Sequence, residues 1–365
     1  MDKTINALGL MSGTSMDGID ASLIRSDGEN NIEIIGNLYQ EYDSELKSSL
    51  FEFCKKINSK KDLEKYFDKY QDLEREITIK HAEIAAKISN DFNFKVDVIG
   101  FHGQTIIHKP LENYSIQMGN GKMLSQILNK DVIYRFREND INNGGDGAPL
   151  TPVYHHHLKL KFKINKPTIF LNIGGIANCT YSNNNNFSAR DVGPGNCLMD
   201  NYMKKIKKKD YDEDGNLARV GKIDYPLINN ILEHEMYNSK NMHSLDIKDF
   251  DINFVKGLSI EDALANLNFF TAKVISENIT KNLKKDSIIL LCGGGRKNKT
   301  LVYNLNKLLK VDIENIDNFK IDGDFIESQA FAYLSIRSLY KKNISYPNTT
   351  RVKKPLSGGI LIKPN

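Results

Sequence analysis

Residues 5–11 form an apolar run that ends in a small polar loop, Ser12-Gly13-Thr14-Ser15-Met16-Asp17-Gly18. Beyond it Ile19, Ala21 and Leu23 alternate with Asp20 and Ser22, the two-residue period of a half-buried strand, until Ile24 breaks the alternation. Strand, glycine loop and strand predict a hairpin, and residues 32–39 supply a third strand. Helices are predicted over 44–57 and 61–89. In the second, Leu63, Phe67, Tyr70, Leu73, Ile77, His81, Ile84 and Ile88 recur at spacings of three and four, which places them on one face. A buried-type strand at 96–101 runs into His102-Gly103-Gln104-Thr105. A strand at 114–118, a helix at 122–128 and a strand at 132–136 follow.

The pattern then restarts. After the polar loop Asn142-Asn143-Gly144-Gly145-Asp146-Gly147, Pro149 and Pro152 can open a helix through His155, His156 and His157. A strand at 168–172 leads into Gly174-Gly175, and a polar turn follows at 183–186. A long helix is predicted over 259–283, with Ser259 as its N-cap and Asp262 in a variant of the capping box. A strand at 288–292 feeds Gly293-Gly294-Gly295, and a last helix covers 327–340. A glycine loop at the end of a strand thus opens each half, which points to two related domains. Strands alternating with helices indicate α/β layers.

Length agrees: 365 residues are more than one core of ordinary size holds. Lys and Arg number 50 against 46 Asp and Glu, a net charge of +4, so a strongly basic nucleic-acid binder is not the default. Cys54, Cys179, Cys197 and Cys292 include no CxxC pair, which removes zinc-ribbon and thioredoxin-like readings and fits a reducing cytosol. The first ten residues lack the apolar stretch of a secretory signal, and no apolar run is long enough to span a bilayer. The expected location is the cytoplasm, with neither membrane nor nucleic acid as partner.

The candidate chemistry lies in loops. Gly13 to Gly18, Gly174-Gly175 and Gly293 to Gly295 each follow an apolar strand. Glycine lets several backbone N–H groups converge on a phosphate. One such loop reads as a tight turn; three beside Ser, Thr or Asn point to a nucleotide. Neither a Walker A signature nor G-x-G-x-x-G occurs. Asp191 precedes a stiff Gly193-Pro194-Gly195 corner, where a loop could hold a general base or where the carboxylate could merely close an Asx turn. His102, Gln104 and Thr105 offer neutral groups suited to sugar hydroxyls, although a lone histidine is more often structural. Three consecutive histidines point in different directions on a helix, so His155 to His157 suggest packing or surface roles rather than a metal site. Asp210, Asp212, Asp214 and Gly215 imitate a calcium loop, but its twelfth position is Gly221. The lysines at 204, 205, 207, 208 and 209 read as a solvated helix end.

Taken in order, these motifs resemble the anhydro-N-acetylmuramic acid kinases, of the actin-like, sugar kinase and Hsp70 superfamily. The residues that carry the likeness are Gly9 to Gly18, His102 to Thr105, Gly144 to Leu150, Asn172 to Asn178, Asp191 to Asn196, and Gly293 to Gly295 with Asn298. They span nearly the whole chain. The resemblance implies two actin-like, ribonuclease H-like α/β domains with an interdomain cleft. It implies ATP and Mg²⁺, and 1,6-anhydro-N-acetylmuramic acid as the sugar, phosphorylated and hydrolytically opened to N-acetylmuramic acid 6-phosphate in cell-wall recycling. On that reading Asp191 is the catalytic base. Gly13, Thr14, Ser15, Met16, Asp17 and Gly18 hold the β- and γ-phosphates, Gly174 and Gly175 form a second phosphate loop, and Gly293, Gly294, Gly295 and Asn298 flank adenosine. His102, Gln104, Thr105, Arg137 and Glu327 are the sugar candidates. Asp17 and Asp191 are outer-shell candidates for Mg²⁺. The expected domains are 1–135 and 136–365, with the last ~20 residues packing back on the first, and a homodimer is compatible with both.

Three positions depart from the family pattern: Arg135 stands where Asp is usual, Asp146 where Gln is usual, and Arg351 where Gly is common. The first two bear on sugar contacts or domain closure. Three other readings stay open: a kinase of a reducing amino sugar without ring cleavage, a non-catalytic sugar-binding regulator, and an actin-like filament protein.

Overall fold

The leading apolar run becomes strand β1 (Ile5–Ser12), which forms an antiparallel meander with β2 (Gly18–Ser26) and β3 (Ile32–Glu41). This is a computed structural model, and it describes residues 3–13, 15–233, 245, 250–281 and 283–364. Ile24 stays within β2 although it breaks the alternation. The register on β3 shifts between Leu23 and Ile24, and that bulge lets both side chains be buried.

Helix α1 (Ser44–Lys56) is capped by the Asp43 carboxylate, which accepts from the Leu46 N–H. The single helix expected over 61–89 is two, α2 (Lys60–Lys65) and α3 (Phe67–Asp91), because Tyr66 between them leaves helical geometry. On α3, Leu73, Ile77, His81, Ile84 and Ile88 are buried as their spacing requires. Strand β4 (Val98–Lys109) carries the 102–105 motif inside it, parallel to β1. Then come β5 (Tyr114–Met118), α4 (Gly121–Leu128), β6 (Asp131–Tyr134), α5 (Glu138–Asn142) and α6 (Pro152–Lys161). His155, His156 and His157 on α6 are all buried, which settles them as packing residues.

The second meander is β7 (Thr168–Ile173), β8 (Ile176–Ser182) and β9 (Phe187–Pro194). Helices α7 (Cys197–Lys207), α8 (Asn216–Val220), α9 (Tyr225–Leu232) and α10 (Ile260–Thr280) follow. The Ser259 hydroxyl caps α10 as expected, 3.1 Å from the Asp262 N–H. Strand β10 (Ile288–Cys292), helix α11 (Lys299–Leu308) and strand β11 (Asp312–Asn315) complete this part.

The chain then returns to the first sheet. Helix α12 (Ile326–Leu339) lies on β1, β2 and β4, helix α13 (Pro347–Thr350) follows, and β12 (Ile360–Ile362) pairs with β6. Two glycines allow the helix to approach: a Cβ on Gly9 would lie 1.8 Å from the Ser328 carbonyl oxygen, and one on Gly100 2.1 Å from that of Phe331.

Two units result, one of Met1–Phe162 with Phe325–Asn365, the other of Lys163–Asp324. The division falls after Phe162 rather than between 135 and 136. Helix α6 belongs to the first unit, where the Tyr154 hydroxyl donates to Gln329 on α12 and His157 meets Asn30. The returning segment is longer than expected because α12 is itself a layer on the first sheet.

The strand orders are β12-β6-β4-β1-β2-β3 in one sheet and β11-β10-β7-β8-β9 in the other. Each contains a three-strand meander whose first strand is extended on its other side by two parallel strands. This repeated topology is the ribonuclease H-like, actin-like α/β arrangement expected above. Among the described residues no helix is long and apolar enough to cross a membrane.

Candidate active site

In the first unit the turn between β1 and β2 is held from three sides. Ser12 Oγ reaches the Gly18 carbonyl at 2.9 Å and Gln104 Oε1 at 2.6 Å, and accepts from the Tyr42 hydroxyl at 3.0 Å. Gln104 Nε2 donates to the Gly13 carbonyl at 2.9 Å. Gln104 was expected to face a sugar, and in the structure both ends of its amide bond the hairpin. Met16 takes a left-handed backbone, φ +57°, which closes the turn without a glycine. Asp17 accepts from Ser15 Oγ at 2.6 Å through its carboxylate. Burial and the nearby charges of Asp17, Glu41 and Asp20 push the Tyr39 hydroxyl up, so this end of the hairpin is acidic. Thr14 lies outside the described residues.

His102, Arg137 and Glu327 form a second cluster. The His102 ring, 4 % exposed, lies 4.4 Å from the Phe331 ring. Its Nε2 accepts from Arg137 Nε at 3.1 Å and Nη2 at 2.9 Å. That arrangement leaves the proton on Nδ1, which donates to the Gly103 carbonyl at 2.9 Å. Burial, reinforced by the Arg137 charge, holds the ring neutral with its pKa well below the usual histidine range. Arg137 also donates to the Gly147 carbonyl at 2.8 Å. Burial lowers its pKa to about 10 against the opposing pull of Glu327 and Asp140. The Glu327 carboxyl is raised by burial and held down by Arg137. A cation, a carboxylate and a neutral imidazole together suit hydroxyl and amide recognition. The Thr105 hydroxyl accepts from Gln117 of β5 at 3.4 Å.

In the second unit three glycine segments meet at the ends of β7 and β10. The N–H groups of Gly195 and Cys197 donate to the Gly175 carbonyl, and that of Asn196 to Gly174, at 2.7–3.2 Å. Gly293 has φ +73°, and a Cβ there would lie 2.4 Å from Asn172 Oδ1; one on Gly295 would lie 2.3 Å from Ile173. The backbone is thus bare where these segments pack. Asp191 was expected on a loop. It lies in β9, opposite Asn178, and its Oδ2 accepts from the Leu245 N–H at 2.8 Å. A strand fixes a carboxylate more firmly than a turn does. Asn298 is a helix cap: its Oδ1 accepts from the Leu301 N–H at 3.0 Å and from Asn268 at 3.2 Å. It holds the start of α11, just after the Gly293–Gly295 loop.

The family model described as anhydro-N-acetylmuramic acid kinase matches residues 5–364. The chain belongs to the anhydro-N-acetylmuramic acid kinase family. The relative so named from Pelagibacter ubique (strain HTCC1062) is 50% identical over 100% of both chains. Those from Zymomonas mobilis and Brucella canis are each 36% identical, covering 97% and 98% of this chain and 98% of each relative.

Two features near the candidate residues carried no signal in the sequence. One is Arg296, whose guanidinium links the Gly293 carbonyl to the carboxylates of Asp317, Asp322 and Asp324. The other is a cavity of about 300 Å³ in the first unit beside His102, lined also by Glu74, Gln117, Tyr134, Arg135 and Glu138. Glu74 and Tyr134 carry no local signal, since a helix and a strand far apart in sequence bring them there. The structure brings His102, Arg137 and Glu327 together, and Gln104 with the first loop. It also brings Gly174-Gly175 together with Gly293 to Gly295 and the residues after Asp191.

Proposed function

We propose that the chain transfers the γ-phosphoryl group of ATP to O6 of 1,6-anhydro-N-acetylmuramic acid while water opens the anhydro bridge. The observation that carries this is Asp191, a strand-held carboxylate two residues before the Gly193-Pro194-Gly195 corner that bonds Gly174-Gly175, in a chain that matches the kinase family over 5–364. O6 is locked in the bridge and has no proton to lose. A water therefore adds to C1, and its proton goes to the Asp191 carboxylate. The C1–O6 bond breaks, O6 bonds to the γ-phosphorus, and the bond to the β-phosphate oxygen breaks. The products are N-acetylmuramic acid 6-phosphate and ADP, which places the reaction in cytoplasmic cell-wall recycling and amino-sugar catabolism.

Backbone groups of the β1–β2 turn and of Gly174-Gly175 hold phosphates, and Gly293 to Gly295 take the adenosine, with Gly294 the one of the three whose Cα faces open space. Mg²⁺ takes oxygen ligands. The carboxylates of Asp17 in the first unit, in its acidic surroundings, and of Asp191 in the second are each candidate donors, and the ion would neutralise phosphate charge. His102, Arg137 and Glu327 orient the sugar.

The experiment is ADP release measured against 1,6-anhydro-N-acetylmuramic acid, N-acetylmuramic acid and N-acetylglucosamine. Turnover confined to the anhydro sugar is expected. Faster turnover of either reducing sugar replaces this reading with an ordinary amino-sugar kinase, and no turnover of any supports a sugar-binding regulator.

A further inference from the structure

We infer that the ion pair between Asp146 and Arg351 positions the sugar-facing cluster, by fixing the loop 144–147 and through it the guanidinium of Arg137. This rests on the reading of Arg137 as a sugar contact.

The two residues were noted above as separate departures from the family pattern, and the structure makes them one feature. Arg351 Nε donates to Asp146 Oδ2 at 2.6 Å and Nη2 to Oδ1 at 2.7 Å, the parallel two-bond geometry in which a guanidinium holds a carboxylate best. Arg351 does this from a left-handed backbone, φ +61° and ψ +12°, at the end of α13. Glycine is the default there because a side chain strains the turn. An arginine kept in that conformation needs an offsetting interaction, and the paired carboxylate supplies it.

From Asp146 the connection to Arg137 is short. The Asp146 N–H donates to the Thr350 carbonyl at 2.7 Å, so loop and α13 are joined by backbone as well as by charge. The Thr350 hydroxyl donates to Asp140 Oδ2 at 2.6 Å, and Asp140 Oδ1 accepts from the Gly147 N–H at 2.6 Å. A Cβ on Gly145 would lie 2.1 Å from Asp140 Oδ1, so the loop fits closely around this buried carboxylate. The Gly147 carbonyl then takes Arg137 Nη1, while Nε and Nη2 go to His102. Three of the guanidinium's donors are fixed this way, which sets its plane. Asp140 is the buried anchor. The Asp146–Arg351 pair is the rim, with side chains 16 % and 49 % exposed, so perturbing it shifts the loop without opening the core.

The test is steady-state kinetics on the full chain with Arg351→Gly, Asp146→Asn, Arg351→Lys and Arg137→Ala, varying the anhydro sugar and ATP separately. Arg351→Gly removes the pair and also relieves the backbone strain, so it folds. Arg351→Gly and Asp146→Asn are each expected to raise KM for the sugar about fivefold, the scale of one partly exposed, well-aligned ion pair, with KM for ATP held within about twofold. Arg351→Lys, which keeps the charge, recovers at least half of that loss. If Arg137→Ala raises the sugar KM but Arg351→Gly and Asp146→Asn do not, or if they raise both KM values alike, the pair is only structural and the proposal is overturned. Equal losses in Arg351→Gly and Arg351→Lys also overturn it. If Arg137→Ala itself leaves the sugar KM unchanged, the sugar-contact reading falls and takes the positioning role with it.

Discussion

Replacing Arg296 with alanine tests how the Gly293–Gly295 loop, the proposed adenosine site, is held. The Arg296 side chain is 3 % exposed. Its Nε donates to both oxygens of Asp317 at 3.1 and 3.2 Å, and Nη2 donates to Asp322 at 3.1 Å. Nη1 reaches the Gly293 carbonyl at 3.1 Å and also Asp324. The Gly293 N–H in turn donates to the Gly323 carbonyl, so the residues around Gly323 clasp the loop through this one cation. A hydrogen bond to a charged group contributes about 1.5–3 kcal/mol. The full sum does not apply, because the three carboxylates are 32–46 % exposed and regain water when the arginine is removed. What remains is three clustered carboxylates, of which, among the described residues, only Asp324 keeps a cation (Lys297), and a lost Gly293 contact, about 3 kcal/mol. In a unit of roughly 160 residues that lowers the melting temperature by about 6–12 °C. The same loosening raises KM for ATP about tenfold and leaves that for the sugar within about twofold. Differential scanning calorimetry and two-substrate kinetics read both effects. A variant that melts within about 2 °C of wild type with an unchanged KM for ATP refutes the clasp.

Two further outcomes follow from the fold. Gly9→Ala places a methyl group 1.8 Å from the Ser328 carbonyl oxygen and 2.5 Å from the Ala332 nitrogen, both backbone atoms of α12. The helix must lift off the sheet, at a cost of about 3 kcal/mol or more, and urea unfolding that matches wild type contradicts the close approach. Burial lowers His81 to about 4 and His155 to about 3, so both are neutral in the folded chain, while the unfolded chain protonates them below about 6.5. Their contribution is whole above that pH and is lost as pH falls from about 6.5 towards 4, by about 2 kcal/mol for each at pH 5. Urea unfolding free energies that do not change between pH 7 and 5 rule this out.

Elements set by local periodicity were legible: the strands at 114–118 and 288–292 and the Ser259 cap stand where the pattern puts them. The sequence also marked the two-fold repeat, because a glycine loop must follow each meander's first strand. Contacts made at long range were not legible. Tyr66 breaks a helix whose apolar spacing runs on without interruption. Asp191 looks like a loop residue because Gly193, Pro194 and Gly195 follow it, yet β8 pairs with it and keeps it in a strand. The bonds of the Gln104 amide to Ser12 and Gly13 had no signal either, since they join residues 92 and 91 positions apart. Asp146 and Arg351 appeared as unrelated exceptions because 205 positions separate them, and only the return of the chain to the first unit brings them together.

The central claim is that water, with Asp191 as its base, opens the sugar while O6 takes the phosphoryl group. It is tested by turnover of 1,6-anhydro-N-acetylmuramic acid and ATP in ¹⁸O-labelled water, with wild type beside Asp191→Asn. Wild type is predicted to give N-acetylmuramic acid 6-phosphate with the label on the C1 hydroxyl, and folded Asp191→Asn to lose at least about a thousandfold in kcat, as expected when the base for the attacking water is removed. Product with no label at C1, or near-normal turnover by Asp191→Asn, contradicts the account.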